Sequence, residues 1–132
     1  MATFHFELVS PDKVLFSGAT QAVLVPGDEG DFQVLADHAP VMTSVRPGVI
    51  AIDDAHGKHR RIFVRGGFAD ASKSGVILLA ETAIPFEDLS ADALQQEIVN
   101  AEEDLADANE DQKRLAQEKL DRLRELKDAM KL

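Results

Sequence analysis

The stretch GVILLAETAIPFEDLSADALQQEI, residues 75–98, decides the fold because the periodicity of the apolar residues changes within it. Before Pro85, the apolar run Val76–Ala80 is typical of a β-strand. After Pro85, apolar residues recur every three or four positions, the spacing that puts them on one face of a helix. The sequence therefore predicts two domains, a β-rich domain over residues 1–86 and a helical domain over residues 87–132.

Toward the N-terminus, Phe4, Phe6 and Leu8 alternate with polar residues, as expected for a half-buried strand. Further short β-rich runs follow, separated by turn signals, and all eight glycines lie in this half of the chain. The other predicted strands are Val14–Phe16, Ala22–Val25, Phe32–Leu35, Val49–Ile52, Ile62–Val64 and Val76–Leu79. Many short strands with no helical period between them predict an all-β sandwich or barrel.

Toward the C-terminus, two apolar stripes predict two helices. The first stripe consists of Leu94, Ile98, Ala101, Leu105 and Ala108, and the second of Leu115, Ala116, Leu120, Leu123, Leu126 and Met130. Ser90 is expected to cap the first helix, and Asp92 lies favourably in its first turn. Because the polar link Asp107–Asp111 is short, the helices are expected to form an antiparallel α-helical hairpin.

Charge is distributed unevenly along a chain whose net charge is -10. Residues 1–86 carry 10 acidic and 7 basic residues, residues 87–111 carry 10 acidic and no basic residues, and residues 112–132 carry 4 acidic and 7 basic residues. On the second helix, four of those bases share one edge of the apolar stripe. This basic edge consists of Lys113, Arg124, Lys127 and Lys131.

Two interpretations of the basic edge remain open from the sequence. The helix can be a solvated one with intrahelical ion pairs, such as Glu118 with Arg122, each contributing ~0.2–0.5 kcal/mol. Alternatively, the basic edge faces the acidic first helix or an acidic partner, and so selects between them.

Composition argues against several classes of function. An acidic chain without Trp or Tyr is not expected to bind nucleic acid. Its longest apolar run is far shorter than the roughly 20 residues that span a bilayer, so no direct membrane insertion is expected. The absence of cysteine excludes disulfides and thiolate metal sites and fits a reducing cytoplasm.

No motif predicts a catalytic, cofactor or metal site. His5, His56 and His59 lack the spacing of metal ligands, and Gly66-Gly67 lacks the rest of a phosphate-binding loop. The acidic loop at residues 27–31 lacks the Glu that a calcium loop has at its twelfth position, where Ala39 stands. The chain is therefore predicted not to be an enzyme and to carry no cofactor.

Six segments, in this order and spacing, resemble the epsilon subunit of F-type ATP synthases, which corresponds to the delta subunit of mitochondria. They are Phe16-Ser17-Gly18, Gly27-Asp28-Glu29-Gly30, Asp37-His38-Ala39-Pro40, Arg46-Pro47-Gly48, Gly66-Gly67-Phe68 and Leu79-Ala80-Glu81-Thr82-Ala83-Ile84. Each segment alone is unspecific, but together with the helical hairpin they cover nearly the whole chain. The lack of an organellar presequence favours the bacterial form.

The resemblance implies a β-sandwich of two five-stranded sheets that docks on the central gamma subunit and on polar loops of the c-ring. Such a rotor subunit couples ion-driven rotation to ATP synthesis at the cytoplasmic face of the bacterial inner membrane. The loop of Glu29, Gly30 and Asp31 matches the part that faces the c-ring. Asp37, His38, Ala39 and Pro40 match a part on the gamma side.

For the hairpin, the resemblance implies a regulatory domain whose second helix can insert near acidic segments of the alpha and beta subunits and block ATP hydrolysis. The basic edge has the charge that such a contact needs. Some relatives bind ATP through an Ile/Leu-Asp-x-x-Arg-Ala motif, but Ser90 and Ala93 stand here for its Asp and Arg. No useful ATP site is therefore expected.

Two alternatives from other functional classes stay open at this stage. One is a free-standing adaptor that binds partners through its helical hairpin. The other is a small enzyme on a β-sandwich or cupin-like barrel, which would need clustered His and Glu ligands for a metal. The sequence does not decide between proton and sodium coupling.

Overall fold

The computed structural model describes residues 2–130, which belong to two compact units, Met1–Glu87 and Asp88–Leu132. In the first unit the strands are β1 (Phe4–Val9), β2 (Val14–Gly27), β3 (Gly30–Leu35), β4 (Val41–Val45), β5 (Gly48–Asp54), β6 (His59–Val64), β7 (Gly67–Ser72), β8 (Gly75–Ala80) and β9 (Ala83–Pro85). A 3-10 helix, Phe86–Asp88, follows β9. The second unit contains α1 (Ala91–Asp107) and α2 (Glu110–Met130).

Strand β2 is long enough to take part in both layers of the sandwich. Its first half pairs with β1, and this layer continues from β1 to β8, β7 and β4 in that order. Its second half pairs with β3 on one side and with β5 on the other, followed by β6 and β9. The register shifts between Thr20 and Ala22, where the strand passes from one layer to the other. Counted once in each layer, β2 gives the five-plus-five arrangement that the resemblance implies.

The core of the first unit lies between the two layers. Phe6, Leu8 and Leu78 are fully buried from one layer, and Ile50 and Val23 from the other. Each such side chain contributes roughly 1.5–3 kcal/mol by leaving water. In β1, His5 is exposed and Glu7 half-buried between buried neighbours, which confirms the predicted alternation.

Several strand boundaries differ from those predicted. Val14–Phe16 and Ala22–Val25 were expected as separate strands but are parts of β2, because the residues between them stay paired with β1 and β5. The three-residue strand β9 was not predicted, and neither were the strands β4 and β7. Their few inward side chains include the small Ala69 and Ala71, so they lack the strongly apolar alternation that marks a strand in sequence.

Gly67 has a backbone role at the start of β7. Its φ is +153°, and a Cβ atom built there would lie 2.0 Å from the carbonyl oxygen of Leu79. Only glycine allows β7 to approach β8 this closely. The Gly66-Gly67 pair is therefore explained by strand packing and not by a phosphate.

The helical unit is a tight antiparallel hairpin. Ser90 caps α1 as predicted, its hydroxyl oxygen accepting a hydrogen bond of 3.0 Å from the Ala93 amide. Only Ala108 and Asn109 separate the helices. Asn109 Oδ1 accepts from the Gln112 amide at 3.0 Å, and Gln112 Oε1 accepts from the Asn109 amide at 3.3 Å, which forms a reciprocal cap.

The apolar stripes pack the two helices together, with one exception. The most buried members are Leu94, Ile98, Ala101, Leu120, Leu123 and Leu126. Leu115, which was predicted in the second stripe, is instead 51% exposed. At about 100° per residue it lies roughly 80° from Leu123, at the margin of the stripe, so it turns toward solvent.

Candidate functional site

Four turns meet at one end of the sandwich, which we call the turn end. They are Asp28–Glu29, Arg46–Pro47, Arg65–Gly66 and Glu81–Thr82. Backbone hydrogen bonds of 2.9–3.1 Å tie them together: the amides of Asp28 and Arg46 donate to Ser44 and Pro26, and those of Glu81 and Arg65 donate to Gly66 and Thr82. Four of the six segments that carry the family resemblance therefore come together in space.

The turn end presents the residues for which a c-ring contact is predicted. Asp28 and Glu29 form the exposed β2–β3 turn, and Gly30, with a φ of +134°, begins β3. Asp31 is exposed and pairs with Arg46, Nη2 to Oδ1 at 3.1 Å. The ion pair favours one direction of the Asp31 carboxylate, and the turn forms an acidic projection.

The segment Asp37–Pro40 lies at the opposite end, between β3 and β4. The half-buried ring of His38 has one nitrogen 2.9 Å from the Leu35 carbonyl oxygen and the other 2.8 Å from that of Ser72. Its ring also contacts Phe4 edge-on, with the centroids 5.6 Å apart. His38 thus fastens this loop to the end of β7, and the structure does not bring it together with Glu29–Asp31.

The outer face of the β1–β8–β7–β4 layer carries a group of exposed large apolar side chains, which we call the apolar face. In the pairing of β7 with β8, Phe68 lies beside Leu79, and Asp70 lies beside Ile77. In the pairing of β4 with β7, Met42 lies beside Asp70. The members are Val14, Met42, Phe68, Ile77 and Leu79, with exposures of 39–65%. Phe68 and Leu79 are direct neighbours, whereas Asp70 separates Met42 from Ile77. Exposed apolar side chains grouped on one sheet face favour an interaction site.

Sequence reasoning missed the apolar face, although one signal was present. The run Val76–Ala80 does not alternate with polar residues, so β8 is apolar on both of its faces. Such a strand is usual where both faces are covered. Ile77 and Leu79 therefore indicated that something outside the sandwich covers this layer.

In the hairpin, two members of the basic edge contact the first helix. Arg124 Nη2 lies 3.5 Å from Glu102 Oε2, and Lys127 Nζ donates to Gln95 Oε1 at 2.7 Å. Lys113 instead pairs within its own helix, 3.5 Å from Glu110. Lys131 lies outside the described residues. Glu118 lies 3.7 Å from Arg114, and Arg122, its expected partner, lies 3.5 Å from Glu125.

These surfaces are suited to docking. Among residues 2–130 there is no group of three or more side chains that could hold a metal ion. In the same part of the chain, no helix is long and apolar enough to cross a membrane. His5 and His59 are exposed and pair with Glu7 and Asp53 respectively.

Known proteins resemble this chain over most of its length. Residues 3–86 match the family described as ATP synthase, delta/epsilon chain, beta-sandwich domain. The ATP synthase epsilon chain of Parvibaculum lavamentivorans is 49% identical over 93% of this chain and 94% of its own length. That of a Bradyrhizobium species is 41% identical over 98% and 96%.

The fold also matches solved structures. A chain in the mitochondrial ATP synthase of Euglena gracilis, whose structure contains OSCP, F1 and the c-ring, superimposes with a TM-score of 0.73 at 21% identity, over 98% of this chain and 82% of that one. The β-sandwich and helical hairpin predicted from the sequence are confirmed, and neither a free-standing adaptor nor a cupin-like enzyme is favoured. The identity to curated relatives over nearly the full length shows that the chain belongs to the delta/epsilon family of ATP synthase subunits, as an epsilon chain.

Proposed function

We propose that the chain is a non-catalytic subunit of the rotor, docked on the gamma subunit and on the polar loops of the c-ring at the cytoplasmic face of the bacterial inner membrane. In this position it helps to couple ion-driven rotation of the c-ring to ATP synthesis. The observation that carries the proposal is the apolar face, because an exposed sheet face of this composition requires a partner.

The gamma subunit is the proposed occupant of the apolar face. Phe68, Ile77 and Leu79 supply the apolar contact area that a stable interface needs at its centre. The segment Asp37–Pro40 adjoins the same layer, since His38 is hydrogen-bonded to Ser72 at the end of β7. We therefore propose that gamma contacts both the segment Asp37–Pro40, as predicted from the sequence, and the apolar face beside it.

The turn end is proposed to face the c-ring. Its exposed acidic residues, Asp28, Glu29 and Asp31, suit contact with polar loops better than contact with an apolar surface. Backbone hydrogen bonds hold the neighbouring turns, and the Arg46–Asp31 pair holds the carboxylate. A preformed projection loses little conformational entropy when it docks, which favours the transmission of torque through it.

The hairpin is proposed to regulate hydrolysis. In the folded hairpin, Arg124 forms an ion pair with Glu102, and Lys127 forms a hydrogen bond with Gln95. Both partners lie on the first helix, whose charged residues are all acidic. An extended hairpin would have to release these contacts before the same cations met acidic groups on the alpha and beta subunits. Because both states use the same cations, the balance between them is shallow, and this chain is proposed to be a weak inhibitor.

Binding to the isolated gamma subunit tests the central claim. Phe68→Glu introduces a charge into the apolar face and should weaken gamma binding at least about tenfold, since the carboxylate would be buried without a partner. Leu24→Glu is the matched control, because Leu24 has almost the same exposure, 38% against 39%, but lies in the other layer. Equal loss in both variants, or no loss in Phe68→Glu, would contradict gamma docking on this face.

A further inference from the structure

A second surface of the sandwich has no role in the functions described above. It is a cavity of about 600 Å³ beside β6, lined by apolar and cationic side chains and by one acidic residue, Glu87. Leu15 and Ile62 contribute to its apolar wall, and Lys58, Arg61 and Phe86 to its rim. All of these residues belong to the first unit.

The cavity lies along an open strand edge. Strand β6 is paired with β5 from His59 to Val64, but on its other side β9 pairs only with Ile62, Phe63 and Val64. Beyond Pro85 the chain leaves the sheet in a 3-10 helix. Among the described residues, the edge of β6 over residues 59–61 therefore has no strand partner, and the cavity occupies the space where one would lie.

Two cations line the cavity without a counter-ion among the described residues, and one of them, Arg61, is held in place by an aromatic ring. The guanidinium of Arg61 lies 4.1 Å from the centroid of the Phe86 ring, a stacked position that leaves its N–H edge available. Within residues 2–130, neither Arg61 nor Lys58 makes an ion pair. By contrast, Arg60 lies 3.9 Å from Asp54, and His59 pairs with Asp53.

We propose that this edge of β6 accepts an extended acidic segment of a partner protein as an additional strand. Backbone groups of residues 59–61 would pair with the segment, as in other cases of strand addition. Its carboxylates would meet Arg61 and Lys58, and an apolar side chain would enter the cavity against Leu15 and Ile62. Only an oppositely charged segment fits, because the same cations repel the β6 edge of a second copy.

Binding of a labelled peptide to the full chain tests the proposal. The probe is a terminally blocked peptide that alternates Glu and Val, and the control peptide has Gln in place of Glu. We expect saturable binding of the Glu peptide, seen by fluorescence anisotropy, that weakens as salt is added. Arg61→Gln should weaken it about tenfold, because a charge-assisted hydrogen bond is lost.

The control variant is Lys73→Gln, which removes the same charge from an exposed turn outside the cavity and should bind the peptide as the parent chain does. Circular dichroism and thermal melting establish that both variants are folded. On binding, the amides of His59 and Arg61 should shift in the NMR spectrum and become protected from exchange. Protection of these amides separates strand addition from simple charge attraction.

Four results would overturn the proposal. The first is equal binding of the Gln peptide, and the second is unchanged binding by Arg61→Gln. The third is a set of NMR shifts that map outside β6. The fourth is displacement of the peptide by pyrophosphate at constant ionic strength when the peptide had not protected the amides of β6, which would indicate a small-anion site. None of these results depends on gamma docking, which concerns the other layer of the sandwich.

Discussion

At the scale of single residues, Asp54 shows how one side chain organises a turn. Its Oδ1 accepts hydrogen bonds from the amides of Lys58 at 3.0 Å and His56 at 2.9 Å. The Lys58 amide is the main cause that lowers the pKa of the Asp54 carboxyl, the His56 amide acts in the same direction, and burial opposes both. The ionised carboxylate therefore stabilises the β5–β6 turn, and with it the start of β6.

The first prediction follows from the sign of that shift. Because the pKa of the Asp54 carboxyl is lower in the folded chain than in the unfolded chain, its ionised form stabilises the fold at pH values above the ordinary pKa of about 3.9. This contribution is lost as the pH falls through the pKa of the folded chain. Asp54→Ala should therefore lower Tm at pH 7. The difference from the parent chain should shrink in melts carried out between pH 5 and pH 2. If the difference in Tm between Asp54→Ala and the parent chain did not change with pH, the charge of Asp54 would have no part in the stabilisation.

The second prediction concerns Gly67, whose neighbour Leu79 leaves no space for a Cβ atom. Gly67→Ala should lower the free energy of unfolding by more than about 2 kcal/mol, because the strain can be relieved only by separating β7 from β8. Denaturant titration measures the loss. Gly57→Ala is the comparison: its φ is +79°, but no atom lies within 4 Å of the added Cβ, so its cost should be smaller.

The third prediction tests the acidic turn. A cysteine in place of Asp31 should cross-link to the c subunit in the assembled complex, since this turn is proposed to face the polar loops of the c-ring. A cysteine in place of Lys73, on the turn between β7 and β8 at the opposite end, is the control. Cross-linking of the Asp31→Cys variant to gamma alone would refute this orientation.

At the scale of elements, the hairpin was predicted more completely than the sandwich. Helical signals are local: Ser90 and the stripe through Leu94 and Ile98 are visible in a single stretch of sequence. The path of β2 is not local, because its two halves pair with strands from different parts of the chain. The apolar face likewise depends on register, which alone brings Phe68 beside Leu79. The contact of Glu29–Asp31 with the c-ring and that of Asp37–Pro40 with gamma stay predictions.

The fourth prediction tests the balance between folded and extended hairpin. Glu102→Gln removes the carboxylate beside Arg124 and should increase inhibition of ATP hydrolysis in the reconstituted complex, because the folded state loses a contact that the extended state does not use. Glu103→Gln changes the charge equally on an adjacent exposed residue and should have less effect. Stronger inhibition by Glu103→Gln would contradict the role given to the Arg124 contact.

At the scale of the whole molecule, the two compact units suggest that each can be studied alone. The boundary between Glu87 and Asp88 lies next to the domain boundary predicted after residue 86. The core of the first unit draws its buried side chains from the strands alone. We therefore propose that the sandwich is an independent domain.

The fifth prediction is that a chain truncated after Phe86 remains folded. It should keep a β-type circular dichroism spectrum and a cooperative thermal transition, and it should still bind gamma, because the apolar face is complete within it. Phe68→Glu in the truncated chain should abolish that binding. A spectrum typical of an unfolded chain would show that residues beyond Phe86 contribute contacts that the sandwich needs for its stability.

The pairing of β1 with β8 has a consequence for how the chain is made. The two strands are parallel, with Phe6 beside Val76 and Val9 beside Leu79, so β1 receives its second neighbour only after all the strands between them in the sequence, and β8 itself, have been synthesised. Until then, β1 and β2 form an incomplete ribbon with an unpaired apolar edge. A pause in translation before Leu79 would prolong this exposure, so synonymous codons in the segment for β8 are expected to influence the yield of native protein in the cell.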